Sequence, residues 1–285
     1  MPKIGRFISF LSQIHSHLAT SIGAIIIMLL IGVAIFAPVI SPHDAVKQHL
    51  SDRLQPPSSR YLLGTDHLGR CVLSRIFYGT RISLLVAVLV VTASMLIGAL
   101  FGIIAGYYGG IIDEFIMRFI DLLLSFPSII LTLVIVGIWG QSIFNLAFAL
   151  SIVSWKGYTR LVRGIVLSEK EKEFVLAGRA LGASNRHLIL YHILPGCLGP
   201  ILVVATLSMG HVILSIAGLG FLGLGPPPPT PEWGSILNDG RLFLRSAPHL
   251  MLFPGLAIII AVLAFNLLGD GLRDVFDPKQ RFFQD

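Results

Sequence analysis

EKEKEFVLAGRALGASNRHLILYHILP, residues 169–195, is a polar interruption between two strongly apolar runs. Alternating Glu and Lys at 169–173 open it. Phe174, Leu176, Ala177, Ala180 and Leu181 then recur at helical spacing. Gly182 and Ser184 break that helix, and a second helical piece starting after Asn185 is predicted to end at Pro195. Two short helices at a glycine turn predict a compact knob held between membrane spans, not an unstructured loop.

Composition narrows the class. The 285 residues are 54% hydrophobic and 13% charged, whereas charged residues make up about 25% of an ordinary soluble domain. Mean hydropathy is +0.83. The formal charge of +6 is spread over span ends without forming a stripe, which suits lipid headgroups and argues against nucleic acid as a partner. Two cysteines, Cys71 and Cys197, are too few for a disulfide scaffold and read as free structural residues. Lys3 and Arg6 precede an apolar run with no small-residue cleavage site before Pro38, so this run reads as a retained first span.

The pattern outward from the knob predicts an all-α polytopic membrane protein with six transmembrane helices. The spans fall at about 20–40, 82–104, 114–138, 143–162, 198–219 and 250–268. Pro38 and Pro42 are expected to end the first, and a short surface helix is expected from about Leu68. Gly98, Gly102 and Gly106 lie four apart in the second and predict close approach of a neighbouring helix. In the third, Arg118 is expected to pair with Glu114 and Asp121, and Pro127 to kink the helix. Trp139 and Trp155 are expected at opposite membrane interfaces. The run of prolines at 226–229 reads as a stiff extended spacer. With six spans, the side holding the termini and the knob carries 13 Lys and Arg against 8, which places both termini and the knob in the cytoplasm. Residues 1–80 then form an N-terminal lead, first span and extracytoplasmic loop. Residues 81–285 form a five-helix core with coupling helices at about 169–192.

Leu176-Ala177-Gly178-Arg179-Ala180-Leu181-Gly182, followed thirteen residues later by Pro195, resembles the "EAA" coupling motif of ABC importer permeases. Leu176 stands where that pattern has Glu, and Gly178 replaces its second Ala. Leu63-Gly64-Thr65-Asp66 with Gly69-Arg70 and Ser74-Arg75 is similar to a segment of the dipeptide/oligopeptide/nickel branch, with Cys71 in place of the usual Asp. Phe221–Gly225, Glu232-Trp233-Gly234 and Gly269-Asp270 also resemble that branch, specifically its second, C-type permease subunit. The resemblance implies a type I ABC importer permease fold in a bacterial or archaeal plasma membrane. It implies a homologous second permease subunit, two ATP-binding subunits that use ATP and Mg, and an extracytoplasmic solute-binding protein. It also implies that Leu176, Ala177, Gly178, Arg179, Gly182, Arg186 and Pro195 couple to the ATPase. Asp66, Arg70, Glu232 and Trp233 would belong to the extracytoplasmic loop where the receptor docks. No GxxxxGK phosphate loop occurs, so this chain binds no cofactor of its own by that route, and hydrolysis belongs to a partner.

For substrate, Gly210-His211, Ala217-Gly218 and Phe174-Val175-Leu176-Ala177 are more similar to nickel-type than to peptide-type members. A histidine inside a span is costly without a role, and imidazole suits nickel, so His211 is the candidate metal contact on the substrate pathway. The expected cargo is therefore nickel or a nickel chelate, with a dipeptide or oligopeptide as the alternative. A membrane hydrolase would need paired catalytic groups within the spans, and His211 is their only histidine. A passive channel would have no use for the knob.

Overall fold

The structure, a computed structural model, describes residues 18–276. The N-terminal lead with Lys3 and Arg6, and the last nine residues of the polar tail, lie outside the described residues. The described chain is helical: α1 Leu18–Ile40, α2 Val72–Tyr108, α3 Gly110–Leu124, α4 Ser128–Trp139, α5 Ile143–Glu169 and α6 Glu173–Ala180. After these come α7 Asn185–Leu224, α8 Trp233–Gly240 and α9 His249–Phe276.

Length and apolarity single out α1, α2, α7 and α9 as membrane-crossing helices, with a fifth span if α3 and α4 count as one. The six expected spans are not all reproduced, and the two departures have separate causes. The third is broken, not kinked: α3 and α4 meet at 85°. Pro127 has no N–H to donate and is itself extended at ψ 126°, while α3 ends at Leu124, so the chain turns at Ser125–Pro127. The fourth lies in α5, which is long enough to cross but carries Lys156, Arg160 and Arg163.

Packing explains the rest. Residues from α2, α5, α7 and α9, among them Val90, Leu146, Ile213 and Ala261, converge in one apolar core. The predicted glycine stripe is the seam between α2 and α5. A Cβ on Gly102 would sit 2.7 Å from Val162 Cβ and 2.8 Å from the Thr159 carbonyl, and one on Gly106 would sit 2.8 Å from Val166 Cβ. On the far side α1 lies against α9, with Gly23 facing the Ala264 carbonyl.

Several local expectations are corrected. Pro38 lies inside α1, which ends at Ile40. No separate surface helix follows Leu68. Instead α2 begins at Val72 and runs unbroken to Tyr108. Trp155 is buried against Phe101 and Phe119, so it packs within the bundle. Arg118 reaches Glu114 at 3.7 Å, but Asp121 pairs with Arg160 of α5. The two cysteines are free and buried, as expected.

Candidate functional site

Three arrangements can serve transport: the knob, a cavity among the helices, and a polar bracket at the opposite end of α2. With 37 residues at 1.5 Å each, α2 is about 55 Å long and carries the bracket near one end and the knob at the other.

In the knob, α6 buries Val175, which packs with Leu188, Ile193 and Cys197 against Tyr107, Val162 and Val166. The Tyr107 hydroxyl donates to Asn185 Oδ1 at 2.8 Å, and the Arg179 guanidinium lies 5.8 Å from the Tyr107 ring centre. Lys170 Nζ donates to the Gly106 carbonyl at 3.0 Å. The knob is thereby clamped to the ends of α2 and α5. Gly182 takes φ +83° at the turn, and Ser184 caps the next helix by accepting from the His187 N–H. Leu176, Ala177, Arg179, Gly182, Arg186 and Pro195 are exposed, Gly178 is half-buried, and Leu181 at the tip is 88% exposed.

Pro195 does not end the second helical piece. Residues Leu188–Ile193 form a wide helical turn in which the Leu194 N–H reaches back to the Ile189 carbonyl, and the helix continues through Pro195 to Leu219. Such a turn re-routes the hydrogen bonds that proline would break. The second half of the knob and the following span are therefore one rod.

That rod forms one wall of a cavity of about 440 Å³. Ser94 of α2, Thr132 of α4, Lys156 and Tyr158 of α5, and Ser208 and His211 of α7 line it. The broken α3–α4 pair closes one side. Lys156 Nζ donates to the Leu123 carbonyl at 3.1 Å, next to the break, while Arg160 pairs with Asp121 and Arg163 with Asp113.

At the other end, Asp66, Arg70, Arg75 and Asp239 form an interlocked set. Asp66 accepts from the Leu68 and Arg70 N–H groups, each at 2.9 Å, and from Arg70 Nε at 2.6 Å. Asp239 receives Arg70 Nη2 at 2.9 Å and Arg75 Nη2 at 3.3 Å. Glu232 caps α8 by accepting from the Gly234 and Ser235 N–H groups, and it also accepts from the hydroxyls of Ser235 and of Ser83 on α2. The Trp233 indole donates to the Ile76 carbonyl at 3.2 Å. Burial raises the Glu232 carboxyl above the ordinary carboxylate range, opposed by the backbone and hydroxyl donors around it. Asp66, His67 and Asp239 bring donor atoms within 4.8 Å of one another. Both carboxylates are already neutralised by arginines, which leaves no charge for a cation.

The four residues expected at the docking loop fall into two buried pairs, Asp66 and Arg70 joined to Asp239, and Glu232 and Trp233 held against α2: Asp66 is 3% exposed, Arg70 2%, and Glu232 and Trp233 0%. They hold the loop from within. Sequence reasoning missed Lys156, Arg75 and Asp239. Lys156 had a visible signal, a charge within a predicted span. The partnership of Arg75 with Asp239, 164 residues apart, had none.

Residues 98–282 match the family described as "Binding-protein-dependent transport system inner membrane component", and residues 15–57 match "N-terminal TM domain of oligopeptide transport permease C". The chain is 47% identical over 269 residues to a dipeptide transport system permease protein of Alkalihalophilus pseudofirmus, covering 94% of this chain and 88% of the relative. It is 43% identical over 274 residues to a di/tripeptide transport system permease protein of Pseudomonas aeruginosa (94% and 90%). It is 47% identical over 266 residues to a glutathione transport system permease protein of Escherichia coli (93% and 88%). These relatives overturn the nickel-type resemblance: the Gly210-His211 and Ala217-Gly218 signatures do not mark nickel transport, and the argument from nickel for a metal contact at His211 falls with it. Such relatives are non-catalytic permease subunits, and the architecture they imply includes a second permease, an ATPase and a solute-binding protein. The knob, the rod and the cavity are the parts of a membrane transport subunit, and the chain belongs to the binding-protein-dependent transport system inner membrane component family.

Proposed function

We propose that this chain is one of two permease subunits of an ATP-driven importer of short peptides, di- and tripeptides or glutathione. Its fold would be that of a type I importer permease, with the bent α3–α4 pair and α5 completing six spans in a plasma membrane. The observation that carries the proposal is the continuity of α7, which joins an exposed knob to the wall of the half-open cavity. A push on the knob reaches the pathway without passing through a loop.

In this reading the knob is cytoplasmic and seats in an ATPase subunit. Leu176, Ala177, Leu181 and Gly182 offer a small apolar tip, and Arg179 and Arg186 supply charge to an acidic socket. Gly178 keeps α6 close to Leu188, and Pro195 sits where the rod leaves the knob. Closure of two ATPases would bring two such knobs together and switch the cavity between outward- and inward-open states. Asp66, Arg70, Glu232 and Trp233 shape the extracytoplasmic loop on which the receptor docks, acting through the surface they support. Residues 1–80 contribute the first span and that loop, and residues 81–285 the pathway and coupling.

The test is ATP-dependent uptake by the assembled complex in proteoliposomes, with radiolabelled dipeptide, glutathione and nickel offered separately. Uptake of dipeptide or glutathione is the expected result. Nickel uptake without peptide uptake overturns the reading.

A further inference from the structure

The three basic residues of α5 lie on successive turns of one face but end differently. Arg163 is paired with Asp113 and Arg160 with Asp121. Lys156, 6% exposed, ends on the neutral Leu123 carbonyl. An ammonium has three donors, so two remain uncommitted. Among the described residues no carboxylate lines the 440 Å³ cavity that Lys156 faces; the polar lining is Lys156, Arg160, His211, Tyr158, several Ser hydroxyls and that of Thr132. A buried cation without a counter-charge is costly, and more so in a membrane, so one that persists marks a place where negative charge arrives.

We infer that Lys156 is the counter-ion this subunit offers to the free carboxylate of a peptide crossing the pathway. The inference rests on the peptide-import reading. One Nζ donor holds the Leu123 carbonyl beside the α3–α4 break, and the others receive the carboxylate. This wall takes the carboxyl end of the cargo, leaving the ammonium end to the facing permease. A bare divalent cation meets only positive charge here.

The experiment uses the complete complex with its receptor in proteoliposomes and compares Lys156→Gln, Lys156→Met and Lys156→Arg. Gln keeps an N–H for Leu123 but no charge, Met loses both, and Arg keeps the charge. Gln and Met are expected to lower dipeptide uptake per ATP hydrolysed equally, by about tenfold, the worth of a charge-assisted hydrogen bond, with Arg retaining most of it. The thermal midpoint of the complex should stay level or rise in Gln and Met, because an uncompensated buried charge is removed. Uptake retained by Gln but lost by Met would show a purely structural role at the break and overturn the inference. A lowered midpoint in Gln would show that a carboxylate of the second permease already pairs with Lys156, and would overturn it equally. Failure of the unmodified complex to carry any peptide would instead sink the peptide reading itself.

Discussion

Gly182 and Glu232 each hold a turn, by different physics. A Cβ at Gly182 would meet nothing within 4 Å, so its cost is backbone alone, set by φ +83°. Left-handed geometry costs most residues about 1–2 kcal/mol, Asn less, and β-branched residues more. Gly182→Asn should therefore preserve peptide uptake per ATP hydrolysed in reconstituted complex, whereas Gly182→Val should lower it several-fold while leaving the protein inserted. Equal ratios in both variants would remove the turn from the coupling route. Glu232 is governed by burial. Its folded-state pKa lies above the unfolded value of about 4.3, so the unfolded chain releases this proton first as pH rises. Stability from this group is greatest below that unfolded value, falls as pH climbs to the raised folded value, and is level beyond it. Glu232→Gln should flatten that fall in thermal midpoints measured against pH. A fall of the same size in the variant would assign it to another group.

At the scale of elements, the α2–α5 seam tests whether glycine serves close approach or is only tolerated in a membrane helix. Gly102→Ala should destabilise by about 2 kcal/mol through overpacking against Val162 and Thr159, despite the better helix propensity of alanine. Gly32→Ala on α1, where a Cβ meets nothing within 4 Å, should be neutral or stabilising by about 0.5 kcal/mol. Unfolding of the purified protein in detergent reads both. The four-residue spacing of Gly98, Gly102 and Gly106 was legible because small residues on one face are a local property. That α5 fills the stripe was not, since nothing local names the partner. The same limit hid the break at Pro127. A proline announces a disturbed helix, but that α3 and α4 meet at 85° with Lys156, Arg160 and Arg163 of α5 bonded to α3 involves a helix distant in the chain.

Across the whole molecule, α2 sets the bracket and the knob on opposite ends. With the knob in the cytoplasm, Leu181→Cys should react with a membrane-impermeant thiol reagent only from the cytoplasmic face, and Leu62→Cys only from outside. Leu181 is 88% exposed and Leu62 60%, whereas Cys71 and Cys197 are 2% and 0% exposed and should stay silent. Reversed labelling would invert the orientation. The bracket gives a second prediction. Asp66→Asn leaves Arg70 and Arg75 buried with half their counter-charge, and breaking such a pair costs about 3 kcal/mol. The thermal midpoint should drop accordingly, and an unchanged midpoint would mean the pairing carries no stability.

By itself the sequence determined that the chain is helical and membrane-embedded, that a knob interrupts it at 169–195, and which residues stand at the knob's turn. Hydropathy, proline and glycine act over a few residues and can be read in order. The tertiary structure alone decided that the knob and the following span are one rod, that Arg70 and Arg75 meet Asp239, and that Asp66 and Glu232 are supports and not surface. It also decided that, among the described residues, Lys156 meets no counter-charge while its neighbours are paired. Each of these depends on which groups come within a few ångströms across long stretches of chain, and a buried charge takes its meaning from those neighbours.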